Sequence, residues 1–328
     1  MRAHDIIVIG TSAGGFSALK QLLRQLPPDL PATIFIVQHI SSAQFNGLPT
    51  LLERAGKLKV SHPSDGERFM KSHVYVAPPD HHLMIEDGHI RLSQGPKENL
   101  TRPAVDPLFR SAALAFRSRV VGVVLTGELD DGTAGLWSVK YRGGTTVVQD
   151  PEDAEHPSMP RSAANNVSVD YCLPLSEIGP LLVRLANDAA GEESAAPSEK
   201  LEIENRIALD DPRALAELQR LGELTSLTCP DCHGSLWQLR EEEFVRFRCR
   251  TGHAYTIDTL LAEQDQALEN ILRDALRSAV EKSTLALIAT EQARRTGDEE
   301  TRNERESTLR EAEKRVQLIQ QVFNSGAK

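Results

Sequence analysis

The chain has 328 residues, of which 40% are hydrophobic, and a formal net charge of −10. This length exceeds that of an ordinary single domain, so a main domain and something smaller are expected. The acidic balance and the scattered Lys and Arg residues argue against nucleic-acid binding. Apolar runs shorter than the roughly 18 to 20 residues of a membrane span argue against membrane insertion, and we expect a cytoplasmic protein.

Short β-branched runs alternate with helical stretches from residue 5 to about 185. The predicted strands are DIIVIG, ATIFIVQ, HVYVAPP, VVGVVLTG, GTTVVQD and VDYCLP, and the predicted helices lie near 16–25, 46–55, 105–117 and 132–141. A hairpin, LMIEDGHIRL, turns at Asp87-Gly88. Apolar strands separated by helices predict an α/β fold with a mostly parallel, doubly wound sheet. Cys172, in the last strand, is expected to be a small buried core residue.

The turn GTSAGG, residues 10–15, joins the first strand to the first helix. Its glycine spacing matches neither the dinucleotide fingerprint nor the P-loop, which argues against a phosphate cradle. Ser12 on such a turn could instead expose its hydroxyl as a nucleophile, with backbone amides near Ala13 facing an oxyanion. The alternative is that Ser12 only caps the helix.

Two further strands end in residues that suit a serine nucleophile. His39 follows the second strand, and Asp130 and Asp131 follow VVGVVLTG in the segment LTGELDDGTAGL. Because carboxyl ends of parallel strands share one sheet edge, a histidine base and an orienting aspartate would meet Ser12 there. The aspartates could alternatively cap the helix that follows. Three strand ends with Ser, His and Asp favour a catalytic site.

Six segments in order resemble the catalytic domain of the CheB-type chemotaxis protein-glutamate methylesterases. They are GTSAGGFSAL, VQHI, VYVAPPDHH, RPAVDPLFRSAA, LTGELDDGTAGL and QDPEDAEHPSMPRSA. The resemblance implies a catalytic domain over residues 1–187, with Ser12 as nucleophile, His39 as base and Asp131 as acid. It also implies hydrolysis of glutamyl methyl esters on chemoreceptor cytoplasmic helices, with some members deamidating glutamine, and no catalytic cofactor.

The sequence departs from the resembled family in two ways. The family usually has Met-Gly where this chain has Glu128 and Leu129, and the methionine N–H resembles an oxyanion donor; Met159 matches a segment near the family's site. Familiar members also place a receiver domain before the esterase, whereas strand one starts here near residue 5. We therefore expect control by a partner or by the region after residue 200.

A second set of elements follows an acidic, small-residue linker at 188–200. Residues 201–257 are predicted to form a short helix near 211–221 and a zinc-ribbon-like module with strands LWQLR and FVRFRCR. Cys229, Cys232, Cys249 and His253 have the spacing of a closed, structural zinc site. His233 is a competing ligand with poorer spacing, and reduced cysteines without metal are the alternative.

Residues 258–328 carry apolar residues at three- and four-residue spacing, interrupted at Gly297. This pattern predicts an amphipathic helical hairpin, whose polar faces are either solvated or a docking surface for a signalling protein. Two functions stay open: a serine esterase, or a catalytically silent scaffold of the same fold that binds signalling partners.

Overall fold

A computed structural model describes residues 3–39, 47–191, 196–241, 244–296 and 298–325. The chain divides into two compact units, residues 1–259 and residues 260–328. Several sequence predictions fall outside the described residues: the start of the helix at 46, Ile40 of the VQHI segment, residues 192–195 of the linker, and the break at Gly297.

The first unit begins with nine strands. In chain order these are β1 (Ile6–Thr11), β2 (Thr33–Gln38), β3 (Lys59–Ser61), β4 (His73–Val76), β5 (His82–Glu86), β6 (His89–Ser93), β7 (Val120–Val124), β8 (Thr145–Gln149) and β9 (Tyr171–Leu173). Seven of them form one parallel sheet in the order β3-β4-β2-β1-β7-β8-β9, and β5 and β6 form a separate antiparallel hairpin.

Helices cover both faces of this sheet. They are α1 (Gly15–Gln25), α2 (Leu48–Ala55), α3 (Val105–Phe116), α4 (Thr133–Tyr141), α5 (Ser158–Asn166) and α6 (Leu175–Asn187). One buried apolar cluster joins α1, α2 and α6 to the sheet, and a second joins α3, α4 and α5 to its other face. The predicted α/β fold with a doubly wound parallel sheet is therefore confirmed.

The strand register explains where polar residues gather. Gly10 of β1 lies opposite Val37 of β2 and Val124 of β7. The carboxyl ends of the three central strands are therefore level, and the residues that follow them meet at one edge of the sheet.

Two details differ from the sequence prediction. Strand β3 and helices α5 and α6 were not predicted. The expectation that Cys172 is buried was wrong, because β9 is the edge strand of the sheet and Cys172 is exposed on it.

The rest of the first unit contains a smaller, mostly antiparallel module. It consists of α7 (Glu199–Ala208), α8 (Pro212–Leu215), a 3₁₀ turn (Leu218–Arg220), and strands β10 (Gly222–Thr228), β11 (Ser235–Glu241), β12 (Phe244–Cys249) and β13 (Ala254–Thr256). The four strands form one antiparallel sheet in sequence order. The two strands predicted from LWQLR and FVRFRCR correspond to β11 and β12, and the single helix predicted near 211–221 is instead α8 and the 3₁₀ turn.

Two long helices complete the chain. They are α9 (Ile257–Thr296), whose first residues belong to the first unit, and α10 (Glu299–Ser325). Within the second unit Arg294 of α9 forms an ion pair with Glu306 of α10. No helix in the described part of the chain is long and apolar enough to cross a membrane.

Candidate active site

Ser12 lies in the tight turn between β1 and α1. Its N–H donates to the carbonyl of Thr126, 3.1 Å away, and its carbonyl accepts from the Gln38 side chain at 2.7 Å. The residue that caps α1 is Gly14, in a left-handed conformation and without a side-chain capping bond. Ser12 is therefore held by its backbone, and its hydroxyl is not used as the helix cap.

His39 follows β2 at the same edge. Its N–H donates to the carbonyl of Thr11, which places it beside the Ser12 turn. Its Nε2 atom lies 2.8 Å from Asp131 Oδ2 and 3.3 Å from the hydroxyl oxygen of Thr101. Since a carboxylate only accepts, Nε2 carries the proton in the Asp131 pair. Within the described residues Nδ1 makes no hydrogen bond, so this nitrogen is available as a base.

Asp131 is 2% exposed and is surrounded by donors. Its Oδ2 accepts from the N–H of Val105 at 2.6 Å, and its Oδ1 accepts from the Asn99 side chain at 2.9 Å and the Asp106 N–H at 3.2 Å. The two N–H groups belong to the first turn of α3, where the helix dipole favours an anion. These bonds fix the orientation of the carboxylate toward His39.

Asp106, which was not among the predicted site residues, is a second buried carboxyl at this edge. Its Oδ1 accepts from the N–H groups of Gly132 at 3.0 Å and Gly135 at 2.7 Å, which anchors the start of α4. Burial, followed by the charge of Asp131, raises the pKa of Asp106 to about 8. Its position in the segment RPAVDPLFRSAA, one of the six that resemble the family, could have identified Asp106 as a site residue.

Asp130, the other aspartate left open by the sequence, has a different environment. It accepts a hydrogen bond from the Thr256 hydroxyl at 2.9 Å. Burial, more than the charges of Asp258 and Asp131, raises its pKa to about 7. The structure therefore brings Asp131, and not Asp130, to His39.

Glu128 points away from the turn. Its side chain is 69% exposed, and Oε1 lies 3.4 Å from Nδ1 of His156. In the described residues the N–H groups of Glu128 and Ala13 donate to no acceptor. The backbone of both residues is thus available to a negatively charged oxygen, and the Glu128 carboxylate is directed toward solvent.

Met159 is fully buried in α5, beside the Ser12 turn. Its N–H donates to the Gly127 carbonyl at 3.0 Å. A Cβ added to Gly127 would collide with the Met159 sulfur and lie 2.9 Å from Ser12 Cβ. Met159 therefore packs behind Ser12, and glycine is the only residue type small enough for position 127.

Leu129 adopts a left-handed backbone conformation, with φ 61°, which costs an ordinary residue about 1 to 2 kcal/mol. We expect Leu129→Gly to change the free energy of unfolding by less than about 1 kcal/mol, because relief of strain offsets the flexibility of glycine. Leu129→Val, the matched apolar variant, should cost more than about 1 kcal/mol, since β-branched residues disfavour this conformation. Urea unfolding measures both, and equal stability of the two variants would contradict a strained turn.

The four predicted metal ligands lie in the module: Cys229 and Cys232 in the β10–β11 turn, Cys249 at the end of β12, and His253 in the β12–β13 turn. The Sγ atoms of Cys229, Cys232 and Cys249 and the Nδ1 atom of His253 all lie within 4.8 Å of one another. The Cys232–Cys249 sulfur distance is 3.6 Å, and His253 Nδ1 is 3.6 Å from both Cys229 and Cys249. A tetrahedral zinc with bonds of about 2.3 Å requires ligand separations of about 3.8 Å. The donor set therefore fits zinc, and His233 is not part of it.

The fold and this site together define a class: an α/β protein with serine, histidine and aspartate at the carboxyl edge of a parallel sheet. The family described as CheB methylesterase matches residues 7–182. The chain belongs to the CheB methylesterase family.

Individual relatives agree with this assignment. A protein from Leptospira interrogans serovar copenhageni, provisionally named protein-glutamate methylesterase/protein-glutamine glutaminase, is 42% identical over 183 residues, which are 56% of this chain and 95% of that protein. The protein-glutamate methylesterase/protein-glutamine glutaminase of Ralstonia nicotianae is 38% identical over 56% of this chain, and the match spans 49% of that longer protein.

A solved structure is also similar. The crystal structure of the Thermotoga maritima CheB methylesterase catalytic domain superposes with a TM-score of 0.53 and 36% sequence identity. The match covers 55% of this chain and 98% of the Thermotoga chain. The module and the two long helices lie beyond the residues that match the family.

Proposed function

We propose that the protein is a serine esterase that hydrolyses glutamyl methyl esters on the cytoplasmic helices of chemoreceptors, and that it also deamidates receptor glutamine. The observation that carries the proposal is the hydrogen bond between His39 and Asp131 beside the Ser12 turn. The family assignment supports the substrate class.

The reaction uses the three side chains in order. His39 Nδ1 removes the proton of Ser12 as Oγ attacks the ester carbonyl carbon, and Asp131 stabilises the imidazolium that forms. The N–H groups of Ala13 and Glu128 donate to the developing oxyanion. His39 then protonates the departing methoxide, which leaves as methanol. Water, deprotonated by His39, then attacks the acyl carbon, and His39 returns the proton to the departing Ser12 oxygen, which gives glutamate and free Ser12.

The direct test is to incubate the full chain with a methylated chemoreceptor cytoplasmic fragment and to measure methanol. Release above the uncatalysed rate is expected. Binding of the fragment without methanol release would instead favour the catalytically silent scaffold.

Cys229, Cys232, Cys249 and His253 are proposed to hold a structural zinc ion. Four protein ligands leave no open coordination position, so the ion would stabilise the module and take no part in the chemistry.

We expect Cys249→Ser to reduce bound zinc from about one equivalent to less than a tenth and to lower the thermal midpoint by more than about 5 °C. Metal analysis and thermal unfolding measure these effects. Cys172→Ser is the matched control, because Cys172 is exposed and lies outside the cluster. Wild-type protein without zinc after gentle purification would contradict the site.

The C-terminal part of the chain is proposed to regulate the esterase. We divide the chain into a catalytic domain (1–187), a linker (188–200), a helix plus zinc-ribbon-like module (201–257) and a helical hairpin (258–328). The hairpin is proposed to bind a signalling protein that controls the esterase. A cytoplasmic location follows from the chemoreceptor region on which the enzyme would act.

A further inference from the structure

Strand β13 of the module contacts the segment that holds the acid of the site. The N–H of Asn99 donates to the Ala254 carbonyl at 2.9 Å, and the Ala254 N–H donates to the Lys97 carbonyl at 3.2 Å. The side chain of the same Asn99 donates to Asp131 at 2.9 Å and to Asp106 at 2.8 Å. Glu98 and Ala254 thus form a single parallel β-bridge, which attaches the segment that orients Asp131 to β13.

The same strand contacts the turn that carries Asp131. The hydroxyl of Thr256 donates to Asp130, the residue directly before Asp131, at 2.9 Å. Both side chains are buried, each with 6% exposure. Leu129, one residue earlier, has a left-handed conformation that needs support from its surroundings. Thr256 supplies such support from outside the catalytic domain.

Buried charges fix the module in this position. Arg248 of β12 is fully buried and donates to Glu98 at 3.0 Å. Glu98 directly precedes Asn99 in the sequence. Glu98 also accepts from Arg110 of α3 at 2.7 Å. Separating the module from this segment would break the buried Glu98–Arg248 pair, which is costly because a buried ion pair loses strongly when one partner is removed.

We propose that β13 is part of the catalytic apparatus, and that Thr256 is a positioning residue that holds the Asp130–Asp131 turn in the orientation that His39 requires. The proposal rests on the proposed esterase function. Thr256 acts through Asp130 and contacts none of the three proposed catalytic side chains, so its loss should lower kcat and leave KM within about twofold. Displacements of about 1 Å in a catalytic group can cost up to about 100-fold in rate.

The test compares three buried-threonine variants of the full chain. Thr256→Val removes the donor to Asp130 and also the acceptor for the Thr259 N–H at the start of α9. Thr259→Val is the matched control, because it removes the contacts of the Thr259 hydroxyl with the N–H and the hydroxyl of Thr256 and keeps the acceptor oxygen of Asp130 in place. Thr256→Ser retains the hydroxyl and should therefore retain activity.

We expect Thr256→Val to lower kcat on the order of 10- to 100-fold, while Thr259→Val and Thr256→Ser stay within about threefold of wild type. Equal kcat values for Thr256→Val and Thr259→Val would overturn the proposal, and so would a loss expressed mainly in KM. Asp130→Ala removes the acceptor and leaves the hydrogen bonds between Thr256 and Thr259 at the start of α9 in place, so it keeps the test decisive if Thr256→Val does not fold. Asp130→Ala should lower kcat as much as Thr256→Val does, and wild-type kcat in Asp130→Ala would contradict the proposal.

A readout without turnover separates this proposal from the proposed function. The Nε2 proton of His39, hydrogen-bonded to Asp131, should give a low-field NMR resonance that is identified by its loss in His39→Gln. We expect this resonance to be lost or shifted in Thr256→Val and to persist in Thr259→Val. That outcome supports the positioning role even if the wild type releases no methanol, and an unchanged resonance in Thr256→Val contradicts it.

Discussion

Ser12→Ala is expected to lower kcat/KM for glutamyl methyl esters by at least about 10⁴-fold, with little change in stability. The hydroxyl is the proposed nucleophile, so without it no acyl-enzyme can form and the ester can react only by direct attack of water. The Ser12 turn is held by backbone hydrogen bonds to Thr126 and Gln38 that alanine can still make. Methanol release and thermal unfolding of the same preparations measure the two effects.

Ser17→Ala is the matched control for this variant. Ser17 is an exposed serine on α1, five residues from Ser12, and the proposed chemistry gives it no role. It should retain wild-type turnover. If Ser12→Ala retained wild-type turnover as well, the nucleophile would have to be another group.

Glu204→Gln is expected to destabilise the protein by about 3 to 5 kcal/mol. Glu204 belongs to a buried charge cluster in which every side chain is at most 5% exposed: Glu98, Arg110, Glu204, Arg246 and Arg248. Glu204 accepts from Arg246 at 2.6 Å and from Arg248 at 2.8 Å. Without its charge, three guanidinium groups would share the single carboxylate of Glu98.

Two further variants serve as comparisons for Glu204→Gln, one that changes the number of buried charges differently and one that changes an exposed charge. Arg248→Met leaves two guanidinium groups with two carboxylates, so it should cost less than Glu204→Gln. Glu202→Gln, an exposed position on the same helix α7, should change stability by less than about 0.5 kcal/mol. Urea unfolding at pH 7 measures all three, and equal effects of Glu204→Gln and Glu202→Gln would contradict the importance of the cluster.

The effect of Glu204→Gln also depends on pH. Burial works to raise the pKa values of Glu98 and Glu204, but the nearby arginines outweigh it and hold the pKa of Glu98 at about 2 and that of Glu204 well below its usual range. A carboxyl with a lowered folded pKa contributes stability above its unfolded pKa, about 4.5, and loses it as the pH falls. The difference between wild type and Glu204→Gln should therefore narrow below about pH 4.5.

The α/β part of the fold could be predicted from the sequence because its central strands are continuous apolar runs. Strands β1 and β2 are buried at every position, and such runs have few other stable arrangements. Helix α7 could not be separated from the linker by composition, because its apolar residues, Leu201, Ile203 and Ile207, are interspersed with charged ones. One of those charged residues, Glu204, is buried against Arg246 of β12, and no local pattern marks a pairing across 42 residues.

The candidate site was predicted in part. In a parallel sheet the carboxyl ends of neighbouring strands lie at the same edge, and this brings Ser12, His39 and Asp131 together. Predicting this required only that the three strands be neighbours in the sheet. The choice between Asp130 and Asp131 depends on the turn geometry, in which Leu129 takes a left-handed conformation. Asn99 and Thr256 were missed because they reach the site from a loop and from the module, far apart in sequence.

The role of Ser12 as the nucleophile is tested by covalent labelling of the full chain with a fluorophosphonate, followed by mass spectrometry of its peptides. We expect a single adduct on Ser12 that is absent in Ser12→Ala and forms at least about 100-fold more slowly in His39→Gln, because His39 activates the hydroxyl. An adduct on another residue, or labelling of His39→Gln at the wild-type rate, would contradict Ser12 as a nucleophile activated by His39.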